Sequence, residues 1–410
     1  MNGNPTPIRI GILGLGRGFM LALPTLAQDP RLSLVAAFDR DARASTAFAR
    51  DFNAIVHNSV EELCADPAVE LVYVATPHEM HAAHAAAAAH AGRHLLVEKP
   101  MALRLADCSR MVDAARQAGV KLLVGPSHAW DAPVLHARRL IAQGAIGRVR
   151  FITSLQYTDF LHRPRRPAEL DTAQGGGVVM SQAAHQMDVA RLLAGGRVRS
   201  VQAVTHRWPT HANGRAGACE GAYQALVQFA AEGSEAGPSA SLVYSGHAGF
   251  DTDAWMDGIG EMAQTKAPGT HARTRQTLAA MVDEPGQEAA FKASRGYGGV
   301  ATGAATPAPA PQVHPHFGPV IVSGEAGDLR LTPRGLWIAD AQGERFEPTP
   351  LPETPRESIA DELWRVLRGG EPPLFSGEWA RATTAATLAI LESSAQGGQP
   401  VAPAYQCAPS

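Results

Sequence analysis

Residues 11–18 read Gly11-Ile-Leu-Gly14-Leu-Gly16-Arg17-Gly18 and follow directly on the apolar run Ile8 to Leu13. A second apolar run, Leu32 to Phe38, ends in Asp39, 23 residues beyond Gly16. Strand, glycine turn, helix-permissive stretch, second strand and acid form the order in which a chain cradles a dinucleotide. Glycines let backbone N–H groups approach a pyrophosphate at a helix mouth, where the dipole favours an anion, and the later acid accepts the ribose hydroxyls. Gly14, Gly16, Arg17, Gly18, Asp39 and Arg40 are therefore the candidate cofactor residues of the turn and second strand. Asp39 repels a 2′-phosphate and favours NAD over NADP, while Arg40 beside it opposes that preference. One position departs from the pattern. The third glycine of the motif falls at Phe19, so Gly18 is expected to substitute by shifting the turn. The first helix is expected to start late and to bend or restart at Pro24.

At 410 residues the chain exceeds a usual single core, and two domains follow. Residues 1–128 are assigned to a dinucleotide-binding α/β Rossmann domain. Residues 129–410 are assigned to an α+β domain for substrate and oligomerisation, with an insertion at about 246–316. Lys plus Arg number 36 against 39 Asp plus Glu, which leaves no basic field for nucleic acid or an anionic membrane. The N-terminus lacks a charged head with an apolar follow-on, and no window reaches 18 uninterrupted apolar residues, so a cytoplasmic protein is expected. Cys64, Cys108, Cys219 and Cys407 are scattered without paired spacing and read as reduced structural thiols.

Up to about residue 125, strand-like runs alternate with helical stretches, as in a parallel sheet with helices on both faces. Ser59-Val-Glu-Glu62 is a capping box, and Pro77 opens an alanine-rich helix. Beyond residue 128 longer alternating runs predict a large, open, mostly antiparallel sheet of six or more strands. Helices at 132–143, 179–193, 357–368 and 378–396 are expected to cover one face. The other face is expected to pair with a second copy, giving a homodimer or homotetramer. Within the insertion, amphipathic pieces at 273–282 and 287–293 are placed at a subunit contact or over the active site, and the Pro/Ala stretch at 302–312 is expected to be extended or disordered.

Thr76-Pro77-His-Glu-Met-His81 and Glu98-Lys99-Pro100 follow strand-like runs, so both fall at the carboxyl edge of the parallel sheet, where such sheets bind ligands. Lys99 beside a nicotinamide cation would be pushed toward its neutral amine and could shuttle a proton; a surface lysine paired with Glu98 is the alternative. The glycine turn, the Thr76-Pro77…His81 segment, the run ending Val-Glu98-Lys99-Pro100 and the later Gly175-Gly-Gly177…His185…Asp188 together resemble the Gfo/Idh/MocA oxidoreductases. The resemblance implies an NAD(P)-dependent dehydrogenase with Lys99 and His185 as its proton-handling pair, and with Thr76, Pro77, His81 and Glu98 near the cofactor. In sugar-oxidising members an aspartate stands four residues before the histidine; here it is Ser181, which weakens a sugar or cyclitol substrate.

Upstream lies Thr158-Asp-Phe-Leu-His-Arg163-Pro-Arg165-Arg166, a proline-stiffened cationic loop. Guanidiniums grip carboxylates in bidentate fashion, so this loop suits a dianion; a solvated loop paired with Glu169 and Asp171 is the competing view. Together with Ser181-Gln182-Ala-Ala-His185 it resembles the phthalate 4,5-cis-dihydrodiol dehydrogenases. That resemblance implies oxidation of an aromatic dicarboxylate cis-diol, phthalate 4,5-cis-dihydrodiol, to 4,5-dihydroxyphthalate, with Arg163, Arg165, Arg166, Ser181 and Gln182 at the substrate. A sugar or cyclitol dehydrogenase and a non-catalytic NAD-binding sensor are the alternatives. His78, His81 and His84 recur at i, i+3, i+6, but no acid pair completes a metal site and none is assigned.

Overall fold

The computed structural model describes residues 6–207, 219–230, 236–247, 252–267, 269–281, 286–299 and 310–409. Strands β1 (Ile8–Leu13), β2 (Leu32–Phe38), β3 (Ile55–Val56), β4 (Leu71–Val74), β5 (His94–Val97) and β6 (Leu122–Val124) pair in parallel in the order β3-β2-β1-β4-β5-β6. Helices α1 (Arg17–Gln28), α2 (Ala42–Phe52), α3 (Val60–Ala65), α4 (His81–His90) and α5 (Leu105–Gln117) alternate with them. The chain order reverses between β1 and β4, which opens a crevice at their carboxyl ends. β4 is buried along its whole length because helices cover both faces of the sheet.

A second sheet contains eight strands: β7 (Val149–Tyr157), β8 (Val198–His206), β9 (Ala222–Phe229), β10 (Ser239–Ser245), β11 (Val320–Gly324), β12 (Gly327–Thr332), β13 (Gly335–Asp340) and β14 (Gly343–Pro348). Their order is β14-β13-β12-β11-β7-β10-β9-β8, antiparallel except where β10 runs parallel to β7. The terminal strand β14, Gly-Glu-Arg-Phe-Glu-Pro, carries too little apolar alternation to be read from the sequence. The inward face supplies Ile152, Val227, Leu242, Val322 and Ile338 to the core, whereas Phe151, Leu226, Ile321, Trp337 and Phe346 point outward and are exposed. That period of two marks a sheet packed on one side only.

Of the remaining helices, α6 (Ala132–Ala142) and α7 (Ala184–Ala194) lie against the second sheet, and α8 (Thr270–Ala279) and α9 (Gln287–Ala293) belong to the insertion. α10 (Ser358–Leu367) and α11 (Gly377–Ala395) return toward the first sheet. The expected cover by residues 357–368 is corrected: α10 docks on α1, where Arg31 pairs with Asp361 at 2.8 Å and Arg368 donates to Glu70 at 2.9 Å. α11 packs on β8 as expected and also on α5, so it ties the two halves together. Most of the Pro/Ala stretch at 302–312 lies outside the described residues. No helix among the described residues is long and apolar enough to cross a membrane.

Candidate active site

The glycine turn is built as its spacing requires, with one correction. Gly14 has φ +94°, and a Cβ there would sit 2.9 Å from the Ala75 carbonyl oxygen, so only glycine fits. A Cβ on Gly16 would meet nothing within 4 Å, which leaves room above the turn for a phosphate. α1 does not start late: it begins at Arg17 and runs unbroken through Pro24 to Gln28. Gly18 lies in its first turn, where a Cβ would press 3.1 Å from Glu98 Cγ, so Gly18 provides the close helix–sheet approach that the motif assigns to its third glycine. Phe19 is instead fully buried against Phe48. The Asp39 carboxylate accepts the Leu15 and Asp41 backbone N–H groups at 2.6 and 2.8 Å, fixing the turn to the end of β2, while Arg40 is exposed. Open space at Gly16, a helix N-terminus and an acid on β2 fit a dinucleotide.

Lys99 follows β5 and His185 lies in the first turn of α7, and the two are close enough for the Lys99 charge to act on the imidazole; Lys99 lines the neighbouring cavity. The Lys99 ammonium donates to the Ser181 carbonyl at 3.1 Å. That carbonyl sits in a π-helical turn, Val179–Ala183, where the widened backbone breaks the regular α-helical ladder. The Ser181 hydroxyl turns back to the Gly177 carbonyl, so this residue meets Lys99 through its main chain. Burial lowers the Lys99 pKa against the opposing pull of Glu98 and Glu261. Burial also drives His185 well below the usual histidine value, aided by Lys99 and His128. Its Nδ1 accepts the His128 backbone N–H at 3.2 Å, so the neutral ring carries its proton on Nε2. In that form the imidazole can donate a hydrogen bond from Nε2, and burial biases Lys99 toward the amine that can take a proton.

Three residues that the sequence did not single out complete this cluster. His128, just beyond β6, bonds Asp131 through Nδ1 at 2.6 Å and faces Glu261 at 3.5 Å through Nε2. Burial disfavours its cation, but the two carboxylates overcome that and raise its pKa. Glu261, from the insertion, is held down to about 2 despite its burial, by His128, Arg163 and Lys99. Adjacent histidines pushed in opposite directions mark separate donor and cation roles. Phe317 packs on both rings, with centroids 5.1 and 4.8 Å away. His128, His185 and Glu261 could present ligand atoms to a metal, all within 4.8 Å of one another. Lys99 and Arg163 already offset the carboxylate there and would repel a further cation.

The remaining sequence candidates divide. His81 is fully buried, its ring nitrogens 2.9 and 3.1 Å from the carbonyls of Thr76 and Pro100, one of which takes the single N–H of the neutral ring that burial favours; it shapes both loops from behind. His84 bonds the Thr76 hydroxyl at 3.0 Å. Pro77 precedes the short 3₁₀ turn that leads into α4. Glu98 accepts the buried Tyr73 hydroxyl, and burial raises its pKa. Arg163, Arg165 and Gln182 line the cavity, but Arg166 is not among its lining residues and pairs with Glu169 at 3.3 Å. The expected pairing with Glu169 thus occurs at Arg166 and extends to Arg165 at 3.7 Å, while Asp171 caps the following turn instead. Arg163 is braced by Asp159 at 2.7 Å, and Arg165 stacks 3.6 Å over Phe160.

The cavity, about 660 Å³, lies between the glycine turn and the second sheet, and the insertion roofs it with Glu261, Lys266, Arg273, Lys292 and Arg295. Eight cationic side chains line it (Arg17, Lys99, Arg163, Arg165, Lys266, Arg273, Lys292 and Arg295) against Asp159, Asp253 and Glu261.

Comparison with known proteins agrees with this architecture. Residues 8–126 match the oxidoreductase family with an NAD-binding Rossmann fold, and residues 134–258 match the Gfo/Idh/MocA C-terminal domain. The chain belongs to the Gfo/Idh/MocA oxidoreductase family. It is 44% identical over 395 residues to the 1-carboxy-3-chloro-3,4-dihydroxycyclohexa-1,5-diene dehydrogenase of Comamonas testosteroni, covering 96% of this chain and 95% of that one. A putative dehydrogenase from Bordetella bronchiseptica RB50 superposes with a TM-score of 0.87 at 33% identity, covering 97% and 100% of the two chains. An oxidoreductase from Agrobacterium radiobacter, solved with NAD⁺, L-tartaric acid and magnesium, shares the fold with a TM-score of 0.70 at 18% identity over 97% and 98%. The protein is an NAD-binding dehydrogenase acting on a CH–OH donor.

Proposed function

We propose that this dehydrogenase oxidises a cis-dihydrodiol of an aromatic carboxylate, with phthalate 4,5-cis-dihydrodiol giving 4,5-dihydroxyphthalate as the specific reaction. The observation that carries this reading is a cavity with a cationic excess whose floor holds a lysine biased toward its amine. An anionic substrate suits those walls, because the cationic side chains lining the cavity outnumber the acids, and a neutral polyol would leave that excess unbalanced. The Comamonas relative, named for a carboxylated dihydroxycyclohexadiene, supports the same class.

NAD bound at the glycine turn supplies the hydride acceptor. Lys99, with one N–H on the Ser181 carbonyl, keeps its lone pair for the proton of the reacting hydroxyl. His185 Nε2–H donates to the same oxygen and steadies the charge that develops on it. Once protonated, Lys99 is stabilised by Glu98 and Glu261. Arg163 and Arg165 donate to the carboxylate oxygens and fix the ring against rotation.

We further propose a homodimer or homotetramer formed through the outward face of the second sheet, where Phe151, Leu226, Ile321, Trp337 and Phe346 lie exposed. NADH formation by purified protein with the phthalate dihydrodiol, a monocarboxylate dihydrodiol and a set of polyols tests the substrate assignment. Turnover only with polyols would assign a sugar or cyclitol dehydrogenase, and tight NAD binding without any turnover would assign a sensor.

A further inference from the structure

The end of the insertion does more than roof the cavity. After α9 the chain crosses directly over the glycine turn. The Tyr297 backbone N–H donates to the Leu15 carbonyl at 3.0 Å, and a Cβ on Gly296 would stand only 3.8 Å from Gly16 Cα. Tyr297 is 6% exposed; its hydroxyl donates to Asp51 at the end of α2 at 2.6 Å. Its ring sits among Phe19, Phe48 and Phe52, with centroids 5.8, 6.0 and 6.2 Å away. Here Phe19 acquires a purpose: the bulky residue that replaces the motif's third glycine forms the socket for this tyrosine. At its other end the segment is tied to the arginine loop, since Glu288 accepts the Arg165 backbone N–H at 2.7 Å and Lys292 pairs with Glu169.

Between these anchors stands Arg295, which lines the cavity together with Arg17, the first residue of α1. Among the described residues no carboxylate pairs with either guanidinium. Two like charges held near one another at the mouth of a helix N-terminus repel, and an anion placed between them removes that cost. The glycine turn already selects the anion by position.

We propose that residues 295–297 form the outer wall of the dinucleotide site, with Arg295 as a direct contact to the cofactor's pyrophosphate and Tyr297 as the pin that holds it there. This rests on the NAD-binding assignment and is independent of which diol is oxidised.

Binding of ADP-ribose, which keeps the pyrophosphate but lacks nicotinamide, and of adenosine, which lacks phosphate, tests it by calorimetry on the full chain. Arg295→Gln is exposed and should fold normally, as its melting curve will report. The expected result is an approximately tenfold loss of ADP-ribose affinity with adenosine binding within about twofold of wild type, the size of one charge-assisted hydrogen bond. Tyr297→Phe, which frees the pin from Asp51, should speed NADH dissociation several-fold in stopped-flow fluorescence. ADP-ribose affinity within about twofold of wild type in Arg295→Gln would overturn the proposal. A raised KM for the carboxylate diol in that variant would place Arg295 on the substrate instead. Failure of the diol reading would appear separately, as a wild-type enzyme that binds ADP-ribose tightly yet turns over no dihydrodiol.

Discussion

Lys99 and Glu261 face the same cavity but reach it by opposite routes. Lys99 stands two residues past β5 on a sheet whose carboxyl edge also presents Thr76 after β4 and His128 after β6. Short connections from a rigid parallel sheet set these positions. Glu261 arrives from an insertion whose helices α8 and α9 are short and largely exposed, and which is pinned to the rest of the molecule at a few points such as Glu288 to the Arg165 N–H at 2.7 Å, Lys292–Glu169, and Tyr297–Asp51 at 2.6 Å. The contrast teaches that the parallel sheet supplies the proton chemistry, while the insertion supplies charge and enclosure. Substitutions on the sheet edge should therefore strike turnover, and those in the insertion should strike binding and pH dependence.

The largest expected effect is at Lys99. Lys99→Met should lower kcat/KM by roughly 10²- to 10⁴-fold, the span of a general base, with NAD affinity unchanged by calorimetry. Retained turnover would remove Lys99 from the proton path. Next, Glu261→Gln should shift the pH dependence of kcat/KM while leaving kcat on its plateau within about twofold. The Glu261 carboxylate raises the Lys99 pKa, so its loss lets the amine form persist to lower pH, and the acid limb of kcat/KM should move downward. An upward move would contradict the assigned electrostatics.

A smaller difference separates two neighbouring arginines. Arg165→Ala should raise KM for the carboxylated diol about tenfold, with little change in kcat. Arg166→Ala should stay within about twofold, because that side chain does not line the cavity and is turned to Glu169. Equal responses would show that the loop does not divide as described. The smallest effect concerns the insertion's tether. Glu169 is held at about 2 because Lys292 and Arg165 outweigh its burial. A depressed carboxyl stabilises the fold above its unfolded value near 4.5 and loses that contribution as pH falls toward 2. Hydrogen-exchange protection factors in residues 287–293, corrected for the intrinsic rate at each pH, should fall over that window in wild type, and Glu169→Gln should show the lowered protection already at neutral pH.

Much of the first half was legible in the sequence because its signals are local. Alternating apolar runs gave the parallel strands, and glycines with fixed tasks gave the turn. Where local pattern misled, long-range packing was the cause: Phe19 suggested a displaced helix, whereas Gly18 beside Glu98 lets α1 begin at once. The His185–Lys99 meeting was readable from family motifs, but the link between them, the Ser181 carbonyl, is a backbone atom that residue identity cannot reveal. His128 lies at a readable place, just past a strand at the same sheet edge, but no motif surrounds it to mark it as functional. Glu261 offered no such signal; only the path of the insertion brings it to the cavity.

The most direct test of the account is the pH profile of kcat/KM for wild-type enzyme with the carboxylated dihydrodiol and NAD. The account predicts a rise with pH of unit slope that levels off below the 10.5 of an ordinary lysine, because burial favours the amine of Lys99. A rate that is flat across this range, or an identical limb surviving in Lys99→Met, would contradict it.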